Sequence, residues 1–177
     1  MKNKLRVEDL RQGDFVFTSC LFPMGLLTKI FVGGRATHVG QLIDKYGNGK
    51  LYMAEMIGDF KKDNDLEINS LKKKFGRGLF KPRIVEVKRS SAYDLCTQKI
   101  FRERAVKQKA SYDFGECLAL AFNAPKLNRK GLICSGWCYE NGKADGVLWS
   151  KKITGLPFAP SPEELRKERY LTTIYRS

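Results

Sequence analysis

An α+β domain, an antiparallel sheet packed on helices, is the fold class this sequence predicts. Three observations carry that expectation. Short apolar segments bounded by turn residues fill the first half of the chain and read as strands, with alternation at Ile84, Val85 and Val87. The second half turns to longer segments with helical spacing. The order, strands and then helices, suggests an α+β domain. The chain has 177 residues and shows no repeat, low-complexity stretch or linker, so residues 1–177 are expected to form a single domain around one core.

The elements follow in order. Leu5 to Leu10 is a short lead-in, and Arg11-Gln12-Gly13-Asp14 is a turn before a strand that begins at Phe15-Val16-Phe17. Gly33-Gly34 breaks the chain ahead of a strand over 36–43. Tyr46-Gly47-Asn48-Gly49 is a turn signal, and a strand over 51–57 makes 36–57 a hairpin. The basic segment 58–81 is expected to hold a short strand at Leu66-Glu67-Ile68 and a loop, and Arg83 to Val87 is the next strand. Ala92 to Lys109 spaces Leu95, Ile100, Ala105 and Val106 among charges and predicts an amphipathic helix. Helices are expected over 116–122 and 133–140, the second stopped by Asn141-Gly142. Ser161-Pro162-Glu163-Glu164 reads as a helix start, with Ser as cap and Pro in the first turn. A strand over 171–175 closes the order.

Composition excludes several classes. No apolar run reaches the roughly 18 residues that span a bilayer; the best, Leu21 to Leu27, is short and broken by Pro23 and Gly25. The basic N-terminal residues run into Glu8, Asp9 and Arg11 instead of an apolar stretch, so no secretory signal is read there and a cytoplasmic setting is expected. The five cysteines, Cys20, Cys96, Cys117, Cys134 and Cys138, are odd in number and irregularly spaced, which favours reduced thiols over a disulfide framework. With one histidine in the chain, a zinc site is not expected. The net charge of +14 suits contact with polyanions through a basic surface.

Two short motifs carry the candidate chemistry. The single histidine, His38, lies on a predicted strand between small residues in Ala36-Thr37-His38-Val39-Gly40. The other is Gly131-Leu132-Ile133-Cys134-Ser135-Gly136-Trp137-Cys138, which places Cys134 at a helix start. There, unpaired backbone N–H groups and the helix dipole stabilise a thiolate, the form in which cysteine is a nucleophile. Cys138, one turn on, reads as a buried structural thiol.

A catalytic imidazole needs an acceptor that fixes its tautomer and orientation. In a hairpin over 36–57 with a two-residue turn, the numbers of facing residues sum to an odd value. His38 then shares a face with Glu55, Ile57 or Asp59, of which Glu55 and Asp59 are carboxylates. A turn centred on Asn48-Gly49 favours Asp59, and one shifted back by a residue or two favours Glu55.

The order Gly13-Asp14, Thr37-His38-Val39-Gly40, Ala54-Glu55, Ser111-Tyr112-Asp113, Cys134-Ser135 and Pro160-Ser161-Pro162 resembles the circularly permuted NlpC-type cysteine hydrolases. That group includes the YiiX-like proteins and is distantly similar to lecithin retinol acyltransferase. The resemblance covers nearly the whole chain. It implies a circularly permuted papain-like fold in which Cys134 is the nucleophile, His38 the base and Glu55 the residue that orients it, which decides between the two carboxylates. The chain departs from the family around the cysteine: Ile133 stands where an aromatic is usual, and Gly136-Trp137 where an acidic residue is usual.

The implied activity is a cysteine hydrolase, of peptidase or amidase type or acting as an acyltransferase, that needs no cofactor. It cleaves an amide, as in peptidoglycan stem peptides, or a lipid ester, through an acyl-thiol intermediate. Without a leader, such a protein reaches a cell wall from a phage particle or after lysis, or works on a cytoplasmic substrate. A second reading keeps the fold without the catalysis, as a basic binding or virion-associated module. It rests on the charge and ranks lower, because no nucleic-acid motif accompanies the basic residues and few aromatics are interleaved with them.

Overall fold

In the computed structural model, residues 5–19, 33–57, 66–75, 82–113, 132–156 and 159–177 are described. Six strands, β1 (Phe15–Ser19), β2 (His38–Ile43), β3 (Tyr52–Met56), β4 (Leu66–Ser70), β5 (Arg83–Arg89) and β6 (Thr172–Arg176), form one sheet in the order β4-β3-β2-β1-β5-β6. Every neighbouring pair is antiparallel. The helices are α1 (Leu71–Phe75), α2 (Leu95–Lys107), α3 (Cys134–Ala144), α4 (Lys151–Thr154) and α5 (Pro162–Arg166). Strands thus precede most of the helices, and the α+β class holds. The helix expected over 116–122 lies outside the described residues.

Alternation sorts the sheet's side chains into two clusters. Phe15, Phe17, Val39, Ile43, Ala54 and Met56 join Trp137 and Cys138 of α3 and Phe101 and Ala105 of α2 in the main core. Val16, Leu42 and Met53 form a smaller cluster with Leu71, Phe75 and Ile84. Both sides of the central strands are therefore covered, and α3 packs on β2 and β3.

Several local expectations change. The link between β2 and β3 runs over residues 44–51, not through a two-residue turn. The Asp44 carboxylate accepts hydrogen bonds from the backbone N–H groups of Asn48 and Gly49, at 3.1 and 2.8 Å, and this holds the longer loop closed. The chain after β4 enters the short helix α1 where a loop was expected. Asn141-Gly142 does not end α3. The Asn141 side chain donates to the Trp137 carbonyl (2.9 Å) and accepts from Arg104 (2.9 Å), while Gly142 leaves room for the Trp149 ring. Tertiary contacts override the weak helix propensity of both residues. At α5 the expectation holds in full, with Ser161 and Glu164 forming a capping box.

Buried charges tie the elements together. Asp14, fully buried, accepts two bonds from the Arg89 guanidinium at 2.7 and 2.8 Å and one from the backbone N–H of Arg11. This ion pair joins the start of β1 to the end of β5. On β5, the buried Glu86 is held by Arg166 of α5 and by Arg176 and Thr173 of β6. Those donors keep its carboxyl below the ordinary range although burial alone would raise it. Tyr93 accepts from Gln41 and donates to Asp145, which also pairs with Arg104. Burial, with Asp145 alongside, pushes the Tyr93 phenol up.

Gly40 sets the spacing of β2 and β3. A Cβ built there would lie 2.7 Å from the Ala54 carbonyl oxygen and 3.0 Å from Glu55 Cβ, so only glycine allows the two strands this approach. Gly40→Ala is expected to lower folding stability by about 1–3 kcal/mol, the usual cost of an overpacked site that moves backbone. Urea denaturation of parent and variant at equal slope measures it.

Candidate active site

Three elements bring the candidate residues together. His38 is the first residue of β2, and Glu55 lies in β3. Gln41 faces Ala54, Leu42 faces Met53 and Ile43 faces Tyr52, an odd-sum register, so His38 and Glu55 share a side of the hairpin as the parity argument requires. The register corresponds to a turn set back from Asn48-Gly49, and Glu55 is the carboxylate that reaches the ring. His38 Nε2 stands 2.7 Å from Glu55 Oε2. His38 keeps 19% of its side chain exposed and Glu55 none. Asp59, the other carboxylate that parity allowed, lies outside the described residues. Across from Glu55 on β4 stands Glu67, whose carboxylate is engaged by the Asn69 amide at 2.8 Å.

Cys134 begins α3, with Ile133 as an N-cap that supplies no side-chain acceptor. The segment before it is anchored: Leu132 bridges Tyr112 in parallel, Asp113 N–H donates to the Leu132 carbonyl at 3.2 Å, and Leu132 N–H donates to the Ser111 carbonyl at 3.0 Å. The helix therefore starts at a fixed point over β2. There the thiol hydrogen-bonds the His38 ring and receives the backbone N–H groups of Val39 and Ser135. The imidazole lies between its two partners, with Nε2 on Glu55 and its remaining nitrogen left for the sulfur.

The electrostatics follow from this geometry. Burial alone would raise the Cys134 thiol, but the charge of His38, its hydrogen bond and the two backbone N–H groups outweigh burial and hold the thiol below its ordinary value. Burial alone would likewise lower His38. The Cys134 charge and hydrogen bond, together with those of Glu55, instead raise it to about 10. Each group thus favours the charged form of the other, thiolate on Cys134 and imidazolium on His38. Cys138, fully buried one turn along α3, behaves oppositely: burial, then the charges of Cys134 and Glu55, pushes its thiol well up.

The departures after the cysteine are packing features. Gly136 sits under Ala159, whose Cβ would be 3.1 Å from an added Cβ. Trp137 is fully buried against Phe101 and donates to Gln108 at 3.1 Å. Two residues that the sequence reading passed over support the His38 segment. Glu163 of α5 accepts the backbone N–H groups of Arg35 and Ala36 at 3.0 and 3.1 Å, just ahead of His38, and Arg166 holds Glu163 in turn. Arg166, with the two backbone donors, keeps the Glu163 carboxyl low, at about 2, against the effect of burial. Its place in the capping segment Ser161-Pro162-Glu163-Glu164 drew attention to the helix start and gave no sign of a distant backbone partner.

No protein-family model matches the chain, and neither does any curated protein. Among solved structures the chain is similar to the metalloprotein YiiX from Escherichia coli O157:H7, a DUF1105 protein. The TM-score is 0.67 and the identity 15%, over 96% of this chain and 98% of that one. Among the described residues, no three His, Cys, Asp or Glu side chains are grouped so as to hold a metal ion. His38 contacts both Glu55 and Cys134. The likeness extends over nearly the full length of both chains, and what it shows is the fold: this chain has a YiiX-like α+β fold.

Proposed function

We propose that the chain is a cysteine hydrolase that cleaves an amide or ester through an acyl-thiol intermediate. The single observation that carries this reading is a thiol at a helix start beside an imidazole that lowers its pKa, with the Nε2 of that ring held at 2.7 Å by a fully buried carboxylate. That is the arrangement a thiol nucleophile requires, with an orienting group behind the base. Cys134 attacks the substrate carbonyl. His38 protonates the leaving group and then takes a proton from the acceptor. Glu55 holds the ring and offsets the imidazolium charge. The backbone N–H of Cys134, at the start of α3, is the oxyanion donor. The net charge of +14 suits a substrate presented on an anionic surface, such as a cell-wall peptide or a lipid ester. The resemblance of the motif order to permuted NlpC-type enzymes supports the same class.

The reactivity of the thiol tests the first half. Cys134 is expected to alkylate with iodoacetamide faster than Cys96, which is exposed, or Cys138, which is buried. Its rate should fall less on acidification than that of an ordinary thiol, because a lowered thiol pKa keeps more of the thiolate populated. Peptide mapping by mass spectrometry at a series of pH values reads this out. A Cys134 rate no higher than that of Cys96 at neutral pH overturns the charged-pair reading.

The sign of the linkage gives a second check on the same pair. His38 is raised in the fold, so its contribution to stability is present below the ordinary histidine pKa and is lost as pH rises through about 10. Cys134 is lowered, so its contribution is lost as pH falls through its folded value. Cys134→Ser removes the thiolate that raises His38. The stability advantage of parent over variant is therefore expected to be greatest between those limits and to shrink beyond either, in denaturant melts across pH.

The orienting residue is tested by Glu55→Gln. An amide still accepts the ring N–H but lacks the charge that stabilises imidazolium. Turnover of p-nitrophenyl acetate is expected to fall about 100-fold or more with the fold intact by circular dichroism. Unchanged turnover removes Glu55 from the mechanism.

A further inference from the structure

Thr18, on β1, is the direct cross-strand partner of His38. Directly paired residues of an antiparallel ladder share a face, with Cβ atoms about 5 Å apart. Thr18 is fully buried, and its hydroxyl has no hydrogen-bond partner among the described residues. Its backbone carbonyl, by contrast, is engaged by the Thr37 N–H at 2.9 Å. A buried hydroxyl without a partner is destabilising, and valine would fill the same shape at a strand position without that penalty. The neighbouring ring cannot serve as its partner, because Glu55 takes Nε2 and the Cys134 thiol takes the other nitrogen. Acylation of the sulfur changes this. The thiol then no longer occupies the ring, and one imidazole nitrogen is released on a residue whose direct cross-strand partner is Thr18.

We propose that the Thr18 hydroxyl positions the water that His38 activates to release the acyl group from Cys134. The inference rests on the acyl-thiol reading above. In the step, one O–H of the water faces the freed ring nitrogen and the other is accepted by Thr18 Oγ1. The water oxygen bonds to the acyl carbonyl carbon, the carbon–sulfur bond breaks, the electron pair returns to Cys134 as thiolate, and the proton remains on His38. Thr18 acts on the second half of the cycle alone, because the first half has no water to hold.

Burst kinetics with p-nitrophenyl acetate separate the two halves. For Thr18→Val, the burst amplitude and the Cys134 alkylation rate are expected to match the parent, while the steady-state rate falls roughly tenfold, the loss of one positioning hydrogen bond. Thr18→Ser, which keeps the hydroxyl, should recover most of that rate. The melting temperature of Thr18→Val should equal or exceed the parent's, since the unpaired hydroxyl is gone. A steady-state rate unchanged in Thr18→Val overturns the proposal. So does a burst and steady-state rate that fall together with a lowered melting temperature, which marks the hydroxyl as structural. A parent protein with no burst and no preferential labelling of Cys134 overturns the acyl-thiol reading itself, and the role of Thr18 with it.

Discussion

A carboxylate with no exposure at all, Glu55, sits at the centre of this protein. An isolated buried charge of that kind is costly enough that it would take up a proton instead. Glu55 is offset by His38, whose charged form is favoured by Glu55 on one side and by Cys134 on the other. The three groups are therefore mutually dependent. Losing the Cys134 thiol weakens the pull on His38 toward its charged form, and losing the imidazole removes the partner that stands 2.7 Å from Glu55. Much of the remaining structure can be understood as holding these three in line.

The holding is done from several directions. Gly40 lets β3 approach β2 closely enough for Glu55 to reach the ring. The Ser111–Asp113 segment fixes where α3 begins. Glu163 grips the backbone just before His38, and Arg166 links Glu163 to Glu86 on β5. Asp14 and Arg89 join the central strand to its neighbour on the other side. These pairs are buried or nearly so and have closely satisfied geometry, the condition under which breaking one partner is expensive. The YiiX-like likeness at low identity fits this picture, since a sheet and a helix start can be conserved in shape while most side chains differ.

Much of this could be read in the sequence, for identifiable reasons. The strands were legible because Phe15 to Phe17 and Val39 to Ile43 are short, largely apolar runs bounded by turn residues, and burial on both sides of the central strands is why such runs do not alternate. The pairing of His38 with a carboxylate was legible as a parity, which survives a change in loop length by two. The loop itself was not, because Asp44 closes it with side-chain bonds that no local turn pattern encodes. Asn141-Gly142 signalled a helix end, and the helix continued because Arg104 and Trp149 arrive from elsewhere in the chain. Glu163 was visible only as part of a helix cap. Its role toward the His38 segment depends on contacts across most of the chain length, which no spacing reveals. The choice of Glu55 over Asp59 came from the resemblance, and the 2.7 Å contact places Glu55 on the ring.

The order of these residues along the chain has a consequence for biosynthesis. A ribosome releases His38 and Glu55 early, Cys134 much later and Glu163 after it. Until the helix bearing Cys134 docks on the strand bearing His38, the thiol has neither the imidazolium nor the Val39 amide that lower its pKa. A nascent chain therefore carries an ordinary, largely protonated cysteine past the cell's electrophiles and oxidants. The sulfur acquires its special character by folding, at the moment when the same packing also begins to shelter it.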